Sequence, residues 1–222
     1  MDVIVSWPVS CDYPLWREYI DNNRKSFDKV IVSFTPGFGF SYESFIRDNF
    51  EAEYIDAESI SKRDWRDVAV NNALVVSTSD YVWFTEQDFI PKKEMWDFLV
   101  GKINLCDVAA AYQGQRLHPC CIITSRYLIN QTKRDFGVIS GISDHFSRFQ
   151  KDLENMKTKN LVIPSDLYEH MNGLTSNFSL VSAGEQPNYE PDRFREYLAK
   201  CLECKVKMHP KFLQICYKFL KI

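Results

Sequence analysis

Glu86 and Asp88 stand two residues apart, just after Tyr81, Val82, Trp83 and Phe84. That run is β-rich, apolar and of strand length. In extended chain an i, i+2 spacing turns both side chains to one side. Two carboxylates so placed repel each other unless a cation sits between them. The edge of an α/β sheet beyond its strand ends is also where ligands bind. The chemistry suggested is cation-assisted handling of an anionic ligand. Upstream, Ala69, Ala73, Leu74 and Ser77 fall at helical spacing, and Thr78, Ser79 and Asp80 break the pattern. The carboxylates are therefore expected at the end of a helix–turn–strand unit.

The rest of the chain supplies the elements that hold this unit. Residues 2–7 read as a buried strand, 15–27 as a helix, 29–34 as a second strand, 42–49 as a short helix and 53–56 as a third strand. This alternation predicts a parallel sheet with crossover helices, the first half of a nucleotide-binding α/β fold. Beyond the acidic corner, residues 93–105 read as an amphipathic helix and 108–112 and 120–124 as strands. The polar segment 113–119 between those strands is expected near the site. Helices are expected from residue 125, over 144–156 and over 191–204. No internal repeat or long linker interrupts the chain.

The stretch from Asn71 to Asp88 resembles the nucleotide-sugar glycosyltransferases of the GT-A fold. Their hallmark is an Asn, a small residue, an apolar residue and a strand that ends in a D-x-D element. The galactosyltransferase-like branch adds an Arg five residues before the Asn and an Ile-Pro after the acidic pair. Arg66 and Ile90-Pro91 occupy those places, and Glu86 replaces the first Asp. The resemblance implies a single α/β GT-A domain over residues 1–199, with a mostly parallel central sheet flanked by helices. Residues 200–222 are expected to be a basic tail packed on it or extending from it. The implied activity is metal-dependent transfer of a sugar from a UDP-sugar or similar donor to a hydroxyl acceptor, with inversion.

Such a transfer needs the leaving diphosphate neutralised, an acceptor hydroxyl deprotonated and the partners held in line. Asp88 is the expected first ligand of Mn²⁺ or Mg²⁺, because a hard oxygen donor suits either ion. Glu86 would reach the ribose or, through water, the metal. Arg66 would pair with the diphosphate; an ion pair with Asp64 or Asp67 is its structural alternative. Asp144, in GISDHFSRF, resembles the catalytic base of inverting members, and Ser143 or Asp144 would equally cap the following helix. His170, in YEHMNGL, resembles the downstream His that completes the metal site, and an imidazole favours Mn²⁺. Gly173 and Asn172 beside it would let a ligand approach the backbone. Arg116 and His118 are expected to border the sugar pocket. Trp7 and Pro8 end the first strand, where such sheets hold the base, so Trp7 is a candidate for stacking and for core burial alike.

Composition narrows the classes. The chain has 222 residues, 45% hydrophobic and 14% aromatic, enough for one sizeable core. No segment approaches the roughly 20 apolar residues of a membrane span, and the N-terminus lacks a basic signal region. The 7 cysteines, an odd number with Cys120 and Cys121 adjacent in an apolar run, fit a reducing compartment without a disulfide framework. A soluble cytoplasmic protein is expected. Net charge is −3, yet residues 200–222 carry six lysines against Glu203. A basic tail on an acidic body suits a polyanion, a membrane surface or plain solvation, which keeps nucleic acid among the acceptors. A non-catalytic nucleotide- or nucleic-acid-binding protein on the same fold is the rival reading. A nucleotidyltransferase would need a glycine-rich loop after the first strand, where this chain has WPVSCDYP. Cys201, Cys204, His209 and Cys216 resemble a zinc knuckle, with the last spacing too long and no glycines.

Overall fold

The computed structural model describes residues 1–37, 39–57, 65–139, 146–171 and 173–222. Its centre is a sheet of seven strands: β1 (Asp2–Pro8), β2 (Lys29–Thr35), β3 (Glu53–Ile55), β4 (Tyr81–Thr85), β6 (Val108–Gln113), β7 (Arg116–Ser125) and β8 (Asn160–Val162). They lie in the order β3-β2-β1-β4-β7-β6-β8. Only β7 runs against the rest, pairing antiparallel with β4 and β6. A separate two-stranded ribbon joins β5 (Phe89–Pro91) to β9 (Tyr168–His170). The architecture is the expected α/β domain with a mostly parallel sheet flanked by helices.

The central strands are largely apolar because both faces of the sheet are covered there, while the edge strands β3 and β8 are partly exposed. Alternate residues sort to the two sides. Val3, Val5, Val30, Val32 and Trp83 join one buried cluster, while Ile4, Ile31, Val82 and Phe84 join the other. The first cluster includes Trp16 and Ile20 of α1 (Pro14–Asn22), Met95 and Leu99 of α4 (Lys93–Val100) and Phe178 of α7 (Leu174–Ser182). The second packs Ala73 and Leu74 of α3 (Trp65–Val76), Leu128 of α5 (Arg126–Gln131) and Phe149 of α6 (Ser147–Asn155). The remaining helices are α2 (Glu43–Asn49), α8 (Pro191–Glu203) and α9 (Pro210–Leu220).

Several boundaries differ from expectation. The first helix stops at Asn22 and passes into a single 3₁₀ turn, Arg24–Ser26. The helix after the acidic corner ends at Val100, where Gly101 follows. Segment 113–119 is largely strand, since β7 starts at Arg116 and only a tight turn separates it from β6. β8 and β9 have three residues each, too few to show a period. The chain crosses residue 200 inside α8, and Cys201, Phe212 and Cys216 are core residues. Phe212 stacks on Phe178 at 5.2 Å between centroids. Arg17, itself buried, holds Asp12 through two 3.0 Å contacts and donates to the Lys207 carbonyl at 2.8 Å, tying residue 207 to α1. Among the described residues no helix is long and apolar enough to cross a membrane.

Asp2 explains how β1 and β4 are held in register with the end of α3. Its fully buried carboxylate accepts from Ser77 Oγ, Thr78 N, Ser79 N and Ser79 Oγ at 2.6–3.0 Å. The residues that break the helix in sequence therefore do so by bonding to Asp2. Burial works against the charge, but the Ser79, Ser77 and Thr78 bonds outweigh it and hold Asp2 below the usual carboxylate range. A folded pKa below the unfolded one gives stability that is present above the unfolded pKa. It is lost as pH falls through the folded value. Asp2→Ala should therefore cost roughly 1–3 kcal/mol at neutral pH, by leaving buried donors unpaired. In urea melts the gap from the parent protein should narrow as pH drops below about 4, the ordinary Asp range. A gap that stays constant with pH would assign the network no dependence on the Asp2 charge.

Candidate active site

The acidic pair lies beyond the C-terminal ends of β1 and β4. Glu86 and Asp88 are not in extended chain: Phe89 N donates to the Glu86 carbonyl at 3.3 Å, closing a tight turn between β4 and β5. β4 ends at Thr85, before either carboxylate, and it is the turn that brings the two together. Neighbouring strands pin this turn. Glu86 N donates to the Cys120 carbonyl of β7 at 3.2 Å. The buried Gln87 side chain between the two acids donates to the Ser6 carbonyl of β1.

His170 arrives from far along the chain. The β5–β9 ribbon pairs it with Phe89, and Met171 N donates to the Asp88 carbonyl at 3.1 Å. One ligand atom each from Glu86, Asp88 and His170 then lie within 4.8 Å of one another. His170 Nε2 stands 3.4 Å from Asp88 Oδ1, longer than a good N–H···O bond. Oδ1 is shielded from solvent and accepts no hydrogen bond among the described residues. Burial pushes the Asp88 carboxyl above its usual range, His170 opposes this, and the Glu86 charge adds to it. Desolvation alone would lower His170; contact with Asp88, reinforced by Glu86, raises it instead. Both shifts go in the direction that favours added positive charge in the corner. Two carboxylates and an imidazole can hold a Mn²⁺-like cation.

Among the described residues Arg66 of α3 forms an ion pair with Glu86; Asp64, one of its other expected partners, lies outside them. Ser6, Arg66, Thr85, Glu86, Pro119 and Phe146 line a narrow crevice beside that pair. The Asn71 amide donates to Asp67 and to the Arg134 carbonyl, and Asp67 Oδ1 accepts from Phe136 N at 2.6 Å. One turn of α3 thus anchors the segment that leads into residues 140–145. Asp144 and Ser143 lie outside the described residues, as does Asn172.

Other expected residues are placed differently. Trp7 is fully buried, donates its indole N–H to the Cys11 carbonyl at 3.0 Å and packs edge-on against Tyr13 and Trp16. It offers no face on which a base could stack, because α1 covers it. Arg116 is exposed near the start of β7. His118, two residues on, reaches the site: its ring lies 4.6 Å from that of His170. Gly173 has φ +71, and the Tyr189 ring fills the space beside it, 2.6 Å from where a Cβ would stand. Its openness is used for packing rather than for a ligand. Of the C-terminal lysines, Lys200 pairs with Glu169 at 2.8 Å and Lys211 lies over Phe40, while Lys211, Lys218 and Lys221 line one cavity together with Arg195. Cys201, Cys204, His209 and Cys216 form no metal-sized group among the described residues. Gln87 and Cys120 were passed over in sequence because nothing in their spacing shows that they border the turn.

Comparison with known proteins separates fold from family. No protein-family model matches the chain, and no match is found among curated proteins. Solved structures do match. Glucosyl-3-phosphoglycerate synthase of Mycobacterium tuberculosis, in complex with Mn²⁺, UDP-glucose and phosphoglyceric acid, aligns with 84% of this chain and 80% of its own. The identity is 14% and the TM-score 0.55. The same enzyme with Mg²⁺ and UDP covers 93% and 80% at 12% identity, TM-score 0.56. A further mycobacterial protein covers 83% and 74% at 14% identity, TM-score 0.56. The shared feature is the fold, which is GT-A-like.

The desolvated Asp88 charge makes a prediction about stability. Asp88→Asn should leave the metal-free protein as stable as the parent, or more stable by about 1 kcal/mol, as is common when a functional charge is removed. Differential scanning calorimetry in chelator would check this. A clear loss of stability would show that the carboxylate is instead part of the structural framework.

Proposed function

We propose that this protein is a metal-dependent glycosyltransferase that moves a sugar from a UDP-sugar to a hydroxyl acceptor with inversion. The observation that carries the reading is the convergence of Glu86, Asp88 and His170 within 4.8 Å at the C-terminal edge of a GT-A-like sheet. The structurally similar synthase binds UDP-glucose and Mn²⁺ in its crystal structure. A divalent cation bound there would neutralise the departing diphosphate. Asp88 and His170 would hold it, and Glu86 would hold it or the ribose. Arg66, stationed at the same turn through Glu86, would add a fixed positive charge against the diphosphate. Asp144 would take the acceptor proton from the opposite face of the sugar. Arg116, on the same strand as His118, would contact donor sugar or acceptor. The acceptor class, nucleic acid included, is left to the experiment.

The test uses UDP-sugars with Mn²⁺. Donor at a hundredfold its Kd should stabilise the folded protein by about 2.7 kcal/mol. Asp88→Asn and His170→Ala should lose that gain, and EDTA should abolish donor turnover. Asp144→Asn should slow transfer by roughly 10²–10⁴-fold with donor affinity nearly unchanged, the signature of a lost general base. Full turnover in EDTA refutes metal dependence. A product that retains the donor's anomeric configuration refutes inversion. Stabilisation by UDP without turnover of any donor would mark a nucleotide-binding protein.

A further inference from the structure

His118, Cys120 and His170 form a second group whose ligand atoms lie within 4.8 Å of one another. His118 and Cys120 sit on β7, and His170 reaches them from β9. The two imidazoles meet edge to face, 4.6 Å between centroids. The Cys120 thiol is buried beneath them. Two imidazoles and a thiol are a softer donor set than two carboxylates and one imidazole. Thiolate and imidazole suit Zn²⁺ and Co²⁺, whereas Mg²⁺ and Mn²⁺ prefer oxygen. Three protein ligands also leave the fourth tetrahedral position open.

We infer that His118, Cys120 and His170 form a binding site for a thiophilic divalent cation of the Zn²⁺ class, adjoining the Glu86–Asp88 corner and sharing His170 with it. As the Sγ–metal bond forms, the thiol proton leaves to solvent. His118 Nδ1 now accepts from Cys120 N at 3.2 Å. Metal on Nδ1 displaces that bond directly. Metal on Nε2 requires the proton to sit on Nδ1, which removes the acceptor. Either way the Cys120 amide loses this partner, so its hydrogen exchange should quicken on metal binding. Because His170 belongs to both groups, the metal taken up depends on which donors complete the set. Glu86 and Asp88 select a hard ion, His118 and Cys120 a soft one. The inference shares a residue with the proposed donor site but needs no transferase activity.

The test titrates the EDTA-stripped full chain with Co²⁺ and reads its absorption. The expected result is one tight Co²⁺ with a sulfur-to-cobalt charge-transfer band and the strong visible bands of four-coordinate cobalt, displaced by Zn²⁺. Cys120→Ser should remove the charge-transfer band, while Asp88→Asn, which disables the oxygen-rich corner, should keep it. His118→Ala should weaken Co²⁺ binding by at least the roughly 10–100-fold that loss of an outer-shell partner costs. The parent protein without a charge-transfer band overturns the inference. So does a band that survives Cys120→Ser, which would place the metal on another cysteine. Should Cys120→Ser fail to fold by circular dichroism, His118→Ala decides: an unchanged affinity and spectrum there overturns the site.

Discussion

Negative charge gathered in a desolvated turn is the constraint around which this molecule is arranged. Glu86 and Asp88 stand in a corner closed by β1, β7 and the β5–β9 ribbon, with Asp88 Oδ1 shut off from solvent and without a hydrogen bond among the described residues. A buried carboxylate costs free energy unless positive charge approaches it. The chain supplies what it can: Arg66 on Glu86 and His170 near Asp88. Burial still pushes the Asp88 carboxyl upward, and contact with Asp88 raises His170 in turn. Perturbed charges in a cleft are what functional sites arrange, and structural ion-pair networks arrange them too.

The scaffold must therefore be stable elsewhere. Both faces of the sheet are packed, and the C-terminal helices α8 and α9 complete the larger cluster. Their attachment is partly polar. Arg17 and Asp12 form a fully buried ion pair, and Arg17 also donates to the Lys207 carbonyl. An ion pair so placed gains little over an apolar contact, but breaking it strands a buried charge. The basic character seen in the final residues thus belongs to helices that build the core on one side and meet solvent on the other. On the solvent side Lys211, Lys218 and Lys221 share one cavity with Arg195.

The sheet itself has two kinds of strand, and the site lies where they meet. β3, β2, β1 and β4 are parallel and joined through helices, and they carry the apolar runs typical of fully covered strands. β7 reverses direction beside β4 and brings Pro119 and Cys120 to the same edge as Glu86. His118 follows from that reversal. Had β7 run parallel, its opposite end would border the turn. The soft donors near the acidic corner are thus a product of strand direction.

Residue types and spacing alone determined the α/β class, the strand that leads to Glu86 and the helix that carries Arg66 and Asn71. Each depends on local periodicity or on a short motif, and such signals survive without neighbours. The tertiary structure decided what depends on distant partners. Trp7 became core because α1 covers it, and Gly173 packs on Tyr189 because the chain returns there sixteen residues later. The i, i+2 spacing of the carboxylates suggested a strand, but a hydrogen bond from Phe89 made it a turn. Segment 113–119 looked like a loop because its polar residues have no apolar period. Pairing with β6 made most of it strand and carried His118 to His170. The physical reason is the same in each case. Short pairings and single contacts draw their free energy from residues tens of positions away, and no local window of sequence contains both partners.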